Sequence, residues 1–181
     1  MSAIGEILTV GHSTHKAETF LRLLTRRGVE VLADVRRYPS SRRMPWFSQE
    51  PLAAALRDAG IEYIHLPELG GRRNPRPDSP NGGWRVGQFQ GYADHMASAE
   101  FAAGMERLLA AAERRRTAMM CAEAAWWRCH RRLLSDALVV RGWSVLHLDA
   151  RGAAEPHALT EFAVVEREAV RYPPAQAALD L

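Results

Sequence analysis

The stretch RRGVEVLADV, residues 26–35, reads as the end of a helix, a glycine turn and a strand. Two arginines close an amphipathic run, Gly28 follows, and an apolar, β-branched series runs on to Val35. A glycine just past a helix adopts the left-handed conformation at little cost and redirects the chain. The same pattern recurs in DAGIEYIHL (58–66) and VRGWSVLHL (140–148). Helices alternating with strands predict right-handed crossovers and a mostly parallel sheet, covered on both faces.

Upstream of Gly28, AETFLRLLTRRG places Phe20, Leu23 and Leu24 at helical spacing, and ILTV ahead of it predicts a strand over 4–10. Downstream, SQEPLAAALRDAG offers Ser48 as an N-cap, tolerates Pro51 in its first turn and ends at Gly60. A strand follows over 61–66, then a long amphipathic helix over 98–116, a strand TAMMC over 117–121, a helix HRRLLSDALVVRG and a last strand over 143–148. The fold class is therefore α/β: one domain over residues 1–181, with a Rossmann-like, mostly parallel five-stranded sheet between helices. Residues 152–181 form a short C-terminal extension. The segment GGRRNPRPDSPNGGWRVGQFQG (70–91) is too rich in proline and glycine for a regular element over most of its length. Loops this long are usually functional or disordered, and a mobile lid over the site is the expectation.

Composition sets the outer limits. A chain of 181 residues, 47% hydrophobic and 25% charged, can bury a real core. No apolar run is long enough for a membrane span. The start MSAIGEILTVGHS lacks the features of a signal peptide, and two cysteines make no disulfide framework. A cytoplasmic location with reduced thiols is the expectation. A net charge of +3 does not by itself make a nucleic-acid binder. Lys16 is the only lysine, so nearly all the positive charge sits on arginine, the side chain suited to bidentate phosphate or carboxylate contacts.

In an open parallel sheet, ligands bind outside the carboxyl ends of the strands. Here each strand runs into polar chemistry: GHST (11–14), DVRRYPSSRR (34–43), PELGGRR (67–73) and CAE (121–123), with CHR (129–131) opening the next helix. TVGHST, ADVRRYPSSRRMPWF, YIHLPELGGRR, GYADHM and MCAE…RCHR, in that order, resemble the domain-of-unknown-function 488 family. The similarity runs from Thr9 to about Tyr172. Two departures stand out. Trp126 and Trp127 occupy a gap where some members carry Asp-Pro, and Arg167-Glu168 stands where a glycine turn is commoner. The resemblance implies an α/β fold and supplies no reaction.

The chemistry is read from the residues themselves. Cys121 ends a buried strand near the cations His12, Arg36, Arg128 and Arg131, so it is a candidate nucleophile or an inert strand end. Cys129 leads the apolar series Leu133, Ala137, Val140 and is read as packing, with both thiols staying reduced and Cys121 the more reactive. His12, Glu68 and Glu123 are the candidate acids and bases. Ser13, Asp34, Arg36, Arg42, Arg43, Arg72, Arg73, His130 and Arg131 are the candidate binding groups, with Asp34–Arg36 and Arg131 also open to structural ion pairing. The site is expected to gather these at one sheet edge. No C-x-x-C or H-x-x-x-H occurs, and neighbours Cys129 and His130 on a helix would point about 100° apart, so no metal site is assigned. No G-x-G-x-x-G and no P-loop occurs, so a standard dinucleotide or NTPase role is disfavoured and no cofactor is named. The leading expectation is a small enzyme acting on an anionic, phosphate-bearing substrate related to nucleotides or nucleic acid. The alternatives are a non-catalytic nucleotide or nucleic-acid binder, and a metal-binding protein using Cys121, Glu123 and His12.

Overall fold

The computed structural model describes residues 3–175. All three glycines of the repeated turn, Gly28, Gly60 and Gly142, have φ between 64° and 85°, the region a side chain resists. They connect β1 (Glu6–Gly11), α1 (Ala17–Arg26), β2 (Val31–Asp34), α2 (Gln49–Asp58), β3 (Glu62–His65), α3 (Gly87–His95), α4 (Ala99–Ala112), β4 (Thr117–Cys121), α5 (Arg131–Val139) and β5 (Ser144–Leu148). Ser98 caps α4 by accepting the Phe101 amide at 3.1 Å. Ser48 precedes α2 but makes no such cap; its hydroxyl accepts the Ser41 amide instead.

The sheet order is β3-β2-β4-β1-β5-β6. The first five strands are parallel, as expected. A sixth, β6 (Ala154–Pro156), pairs antiparallel with β5 and lies in the C-terminal extension, where three residues give no readable periodicity. The extension then forms a hairpin of β7 (Val164–Glu166) and β8 (Ala169–Arg171). Its turn puts Arg167 at φ 58°, a left-handed position that explains why glycine suits this place in the family pattern.

Alternate residues of the central strands feed two cores. Leu8, Val10, Leu32, Ala118 and Met120 pack with Phe20, Leu24, Leu52 and Leu56 of α1 and α2. Ile7, Ala33, Met119 and Cys121 pack with Tyr92, Phe101, Leu108, Leu133 and Leu134 of α3, α4 and α5. Complete burial of each leucine, isoleucine, valine, methionine or phenylalanine among them contributes about 1.5–3 kcal/mol. Among the described residues, no helix is long and apolar enough to cross a membrane.

The sheet order creates a topological switch point. From β2 the chain leaves toward β3 and α2; from β4, its neighbour, it leaves toward α5 and β5. The two connections part to opposite faces and open a crevice at the carboxyl ends of β2 and β4.

The long segment differs from the expected free lid. Regular structure resumes at Gly87, inside the stretch read as irregular, because α3 has only a weak apolar stripe and carries Gly87 and Gly91. The rest is tied down. Asp94 accepts from the Arg76 amide, the Ser79 hydroxyl and the Asn81 side chain at 2.6–2.8 Å. Asn81 in turn accepts the Tyr172 amide, and Trp84 is buried against Phe89, Phe162 and Tyr172.

Candidate functional site

At the crevice lies a cavity of about 340 Å³. The loop after β2 gives Arg36, Arg37, Tyr38 and Ser40; the loop after β4 gives Cys121, Ala122, Glu123, Arg128, Cys129 and His130; the long segment gives Gly71, Arg72, Gln88 and Phe89. Its size suits a small molecule.

The two cysteines meet in its wall, with sulfurs 2.6 Å apart. Cys129 does not belong to α5. Its backbone is extended (φ −123°, ψ 154°), and His130 is the N-cap. The 100° separation argued from a continuous helix therefore does not apply, and His130 Nδ1 lies 3.5 Å from the Cys129 sulfur. Cys121, Cys129 and His130 present donor atoms all within 4.8 Å of one another, close enough to share one soft metal ion. Glu123 and His12, the other expected ligands, are not in that cluster.

The histidine's tautomer follows from its partner. Nε2 lies 3.0 Å from the Val35 carbonyl, which can only accept, so the proton sits on Nε2 and the Nδ1 lone pair faces the sulfurs. Burial, the largest influence, lowers its pKa and keeps it neutral. Gly71 makes room for the ring: a Cβ there would fall 2.7 Å from Nδ1.

The electrostatics reverse the expected order of the thiols. Burial raises Cys121, and its hydrogen bond to Cys129 raises it further. Burial also acts to raise Cys129. The hydrogen bond from Cys121, the Arg131 charge and the Arg131 amide, 3.5 Å from the sulfur, outweigh it and bring Cys129 down to about 6. One proton is thus shared by two sulfurs, held on Cys121, with Cys129 the thiolate.

Arg131 is the hidden part of this arrangement. It is fully buried and does not line the cavity. It pairs with neither the Asp34 nor the Glu123 carboxylate: Asp34 bridges Arg36, and only the backbone of Glu123 reaches Arg131. Its guanidinium donates to the Glu123 and Ala124 carbonyls and, at 3.2 Å, to the Thr9 hydroxyl. From Thr9 a chain continues: Thr9 Oγ1 to His147 Nδ1 at 2.7 Å, His147 Nε2 to His157 Nδ1 at 2.9 Å, His157 Nε2 to Asp136 Oδ1 at 2.8 Å. Asp136 can only accept, which fixes every proton: each group donates to the next, from the arginine cation to the carboxylate. Trp126 stacks on His147 at 4.0 Å and 4°, sealing the chain rather than presenting a free ring. Burial, then the neighbouring His157 ring and the Arg131 cation, lower His147 to about 3. Thr9, Asp136, His147 and His157 escaped the sequence reading, since nothing in their spacing relates them.

The remaining expected residues divide. Arg36, Arg72, His130, Cys121 and Glu123 do line the cavity, joined by Arg37 and Arg128. Asp34 is buried beneath it, bridging Arg36 at 2.6 Å and accepting from Tyr63 at 2.7 Å. His12 donates through Nδ1 to the Ser13 carbonyl and accepts from Arg36 at 3.3 Å through Nε2. Burial and the Arg36 charge lower it to about 4, so it holds Arg36 in place as a neutral acceptor. Ser13 meets the loop after β4 through its amide, at the Ala122 carbonyl. A Cβ on Gly11 would fall 1.9 Å from the Glu123 carbonyl, so this glycine admits that loop rather than a ligand. Glu68 faces α4, pairing with Arg107 at 2.7 Å. Arg73 pairs with Glu100 beside an adjacent groove, and Arg42 and Arg43 are exposed away from the cavity.

Residues 16–138 match the family described as Domain of unknown function DUF488. The chain belongs to that family. Comparison with curated proteins and with solved structures finds no match. The matched span contains both cysteines, His130, Arg131 and every arginine of the cavity, while His147, His157 and the C-terminal hairpin lie beyond it.

Proposed function

We propose that this protein is a small thiol-dependent enzyme acting on an anionic substrate, phosphate-bearing compounds such as nucleotides among them. The observation that carries the reading is the placement of Cys129: a sulfur 2.6 Å from that of Cys121 and 3.5 Å from the Arg131 amide, backed by the buried Arg131 cation, in the wall of a cavity lined by Arg36, Arg37, Arg72 and Arg128. A thiolate is the nucleophilic form, and guanidinium groups at the mouth attract and orient an anion. Glu123, the one carboxylate among the lining residues, is placed to exchange a proton with a departing group. A reducing, cytoplasmic setting belongs to this reading, since the chemistry requires Cys129 to be held as a free thiol. A purely binding role would leave the acidified thiol without a use.

The test is iodoacetamide labelling of the full chain at pH 7, read by peptide mass spectrometry. Cys129 should label first, and inorganic phosphate, a nucleotide or a short oligonucleotide should slow it, the strongest protector marking the substrate class. Slow, equal labelling of both cysteines, unaffected by any anion, would refute the reading. The Cys121–Cys129–His130 cluster supports a second reading, a soft-metal site. Tight binding of one zinc ion per chain, abolished in Cys129→Ser, would favour it.

A further inference from the structure

We propose that Cys129 and Cys121 work as a dithiol–disulfide couple, and that the substrate is a low-molecular-weight disulfide carrying carboxylate or phosphate groups. This rests on the reading of Cys129 as a cavity nucleophile and specifies the atom it attacks. The only two cysteines of the chain, eight positions apart, bring their sulfurs to 2.6 Å. A disulfide bond is about 2.05 Å long, so a small approach closes the pair. Any mixed disulfide formed on Cys129 is therefore born beside a second thiol.

The steps balance. The Cys129 thiolate attacks one sulfur of R–S–S–R, forming a Cys129–S–S–R bond and expelling R–S⁻, which takes up a proton. With the charge on Cys129 gone, Cys121 loses the acceptor that held its proton. His130, whose Nδ1 lone pair faces the sulfurs within 4.8 Å, accepts that proton. The Cys121 thiolate then attacks the Cys129 sulfur, expels the second R–S⁻, and His130 returns the proton to it. Two thiols of the protein are oxidised to one disulfide and one substrate disulfide is reduced to two thiols. A small-molecule thiol, two equivalents per turnover, restores the dithiol by the reverse exchange. The cavity arginines select for charge: Arg72 and Arg128 line the cavity and form no ion pair among the described residues.

The experiment uses the prereduced full chain at pH 7 with three probes: glutathione disulfide for carboxylates, coenzyme A disulfide for phosphates, and bis(2-hydroxyethyl) disulfide as the neutral control. Acid quench, alkylation and intact mass follow the products. The wild type should lose two hydrogens, resist alkylation at both positions and release two thiols per chain. Cys121→Ser should hold the mixed disulfide on Cys129, and Cys129→Ser should form neither product. The charged probes should react roughly tenfold faster than the neutral one, and Arg72→Gln with Arg128→Gln should remove that preference. Whichever charged probe is faster identifies carboxylate or phosphate as the recognised group. A wild-type mixed disulfide that persists unresolved would overturn the couple, as would a Cys129 that alkylates readily yet ignores all three probes; both leave the thiolate reading standing. A bound zinc ion that blocks both thiols until chelated would overturn it in favour of the metal site. Unreactive thiols toward every reagent would instead remove the thiolate reading itself.

Discussion

Two polar clusters meet at Arg131, and they are built on opposite terms. On one side runs the chain Thr9, His147, His157, Asp136, in which every side-chain polar atom has a partner. Asp136 alone accepts from His157, the Thr160 amide and Tyr172. On the other side are Cys121, Cys129 and His130, which open on a cavity and leave one imidazole lone pair and one thiolate available. A saturated buried network rigidifies and costs heavily when broken. An unsaturated group in a cavity is kept for a reaction or a ligand. The histidines farther from the cavity are thus structural, although they outnumber the one beside the sulfurs.

The sharpest way to break this contrast is at the shared residue. Arg131→Met should lower the unfolding free energy by about 3–5 kcal/mol, because it strands two backbone carbonyls, Thr9 and the thiolate at once. Urea denaturation measures it, and a loss under 1 kcal/mol would show that Arg131 does not join the two clusters. His157→Phe should cost about 2–3 kcal/mol, because it leaves the buried His147 Nε2–H without an acceptor and takes one of three donors from Asp136, yet should leave Cys129 alkylation within about threefold of wild type. A collapse of thiol reactivity in that variant would merge the two clusters into one site.

Acid should act through two buried histidines, His147 in the closed chain and His12 against Arg36 at the cavity. His147 is lowered to about 3 and His12 to about 4, from an ordinary 6.5. Between those values the unfolded chain binds protons that the folded chain refuses, so stability falls as pH falls from 6.5. At pH 4.5 the loss should be about 2–3 kcal/mol for each histidine. Cys129 adds a slope of the same sign at higher pH: folded it is ionised above about 6, unfolded it is protonated up to about 9, so stability rises with pH across that window. Thermal melts at pH 4.5, 6 and 8 measure both, and a flat profile would contradict the buried neutral histidines. At the small end, Arg128→Gln should change stability by under about 0.5 kcal/mol, since the residue is exposed, while raising about tenfold the phosphate needed for protection.

How far the sequence reached follows the same division. Gly28, Gly60 and Gly142 announced the parallel strands, and the strand-end rule located the crevice where Arg36, Arg72, Cys121, Glu123 and His130 converge. What it could not give was direction. A residue at a strand end faces the cavity or the floor beneath it, and Asp34, His12 and Glu68 took floors and flanks. Arg131 points inward because Thr9 and two carbonyls lie beneath α5, a fact of tertiary contact. The helical periodicity of HRRLLSDALVV does not mark where α5 begins: Cys129 lies two residues before it with an extended backbone, so nothing in the spacing shows the pairing of the sulfurs. The long segment looked free because its anchors, Asp94 and Tyr172, lie outside it.

The measurement that bears most directly on the account is the pH dependence of alkylation at each cysteine, followed by peptide mass spectrometry from pH 4.5 to 10. Cys129 should titrate with a midpoint near 6 and react ahead of Cys121, whose own ionisation should lie well above that of an ordinary thiol. Midpoints near the usual 8.5 for both, or Cys121 reacting first, would contradict the assignment of Cys129 as the thiolate.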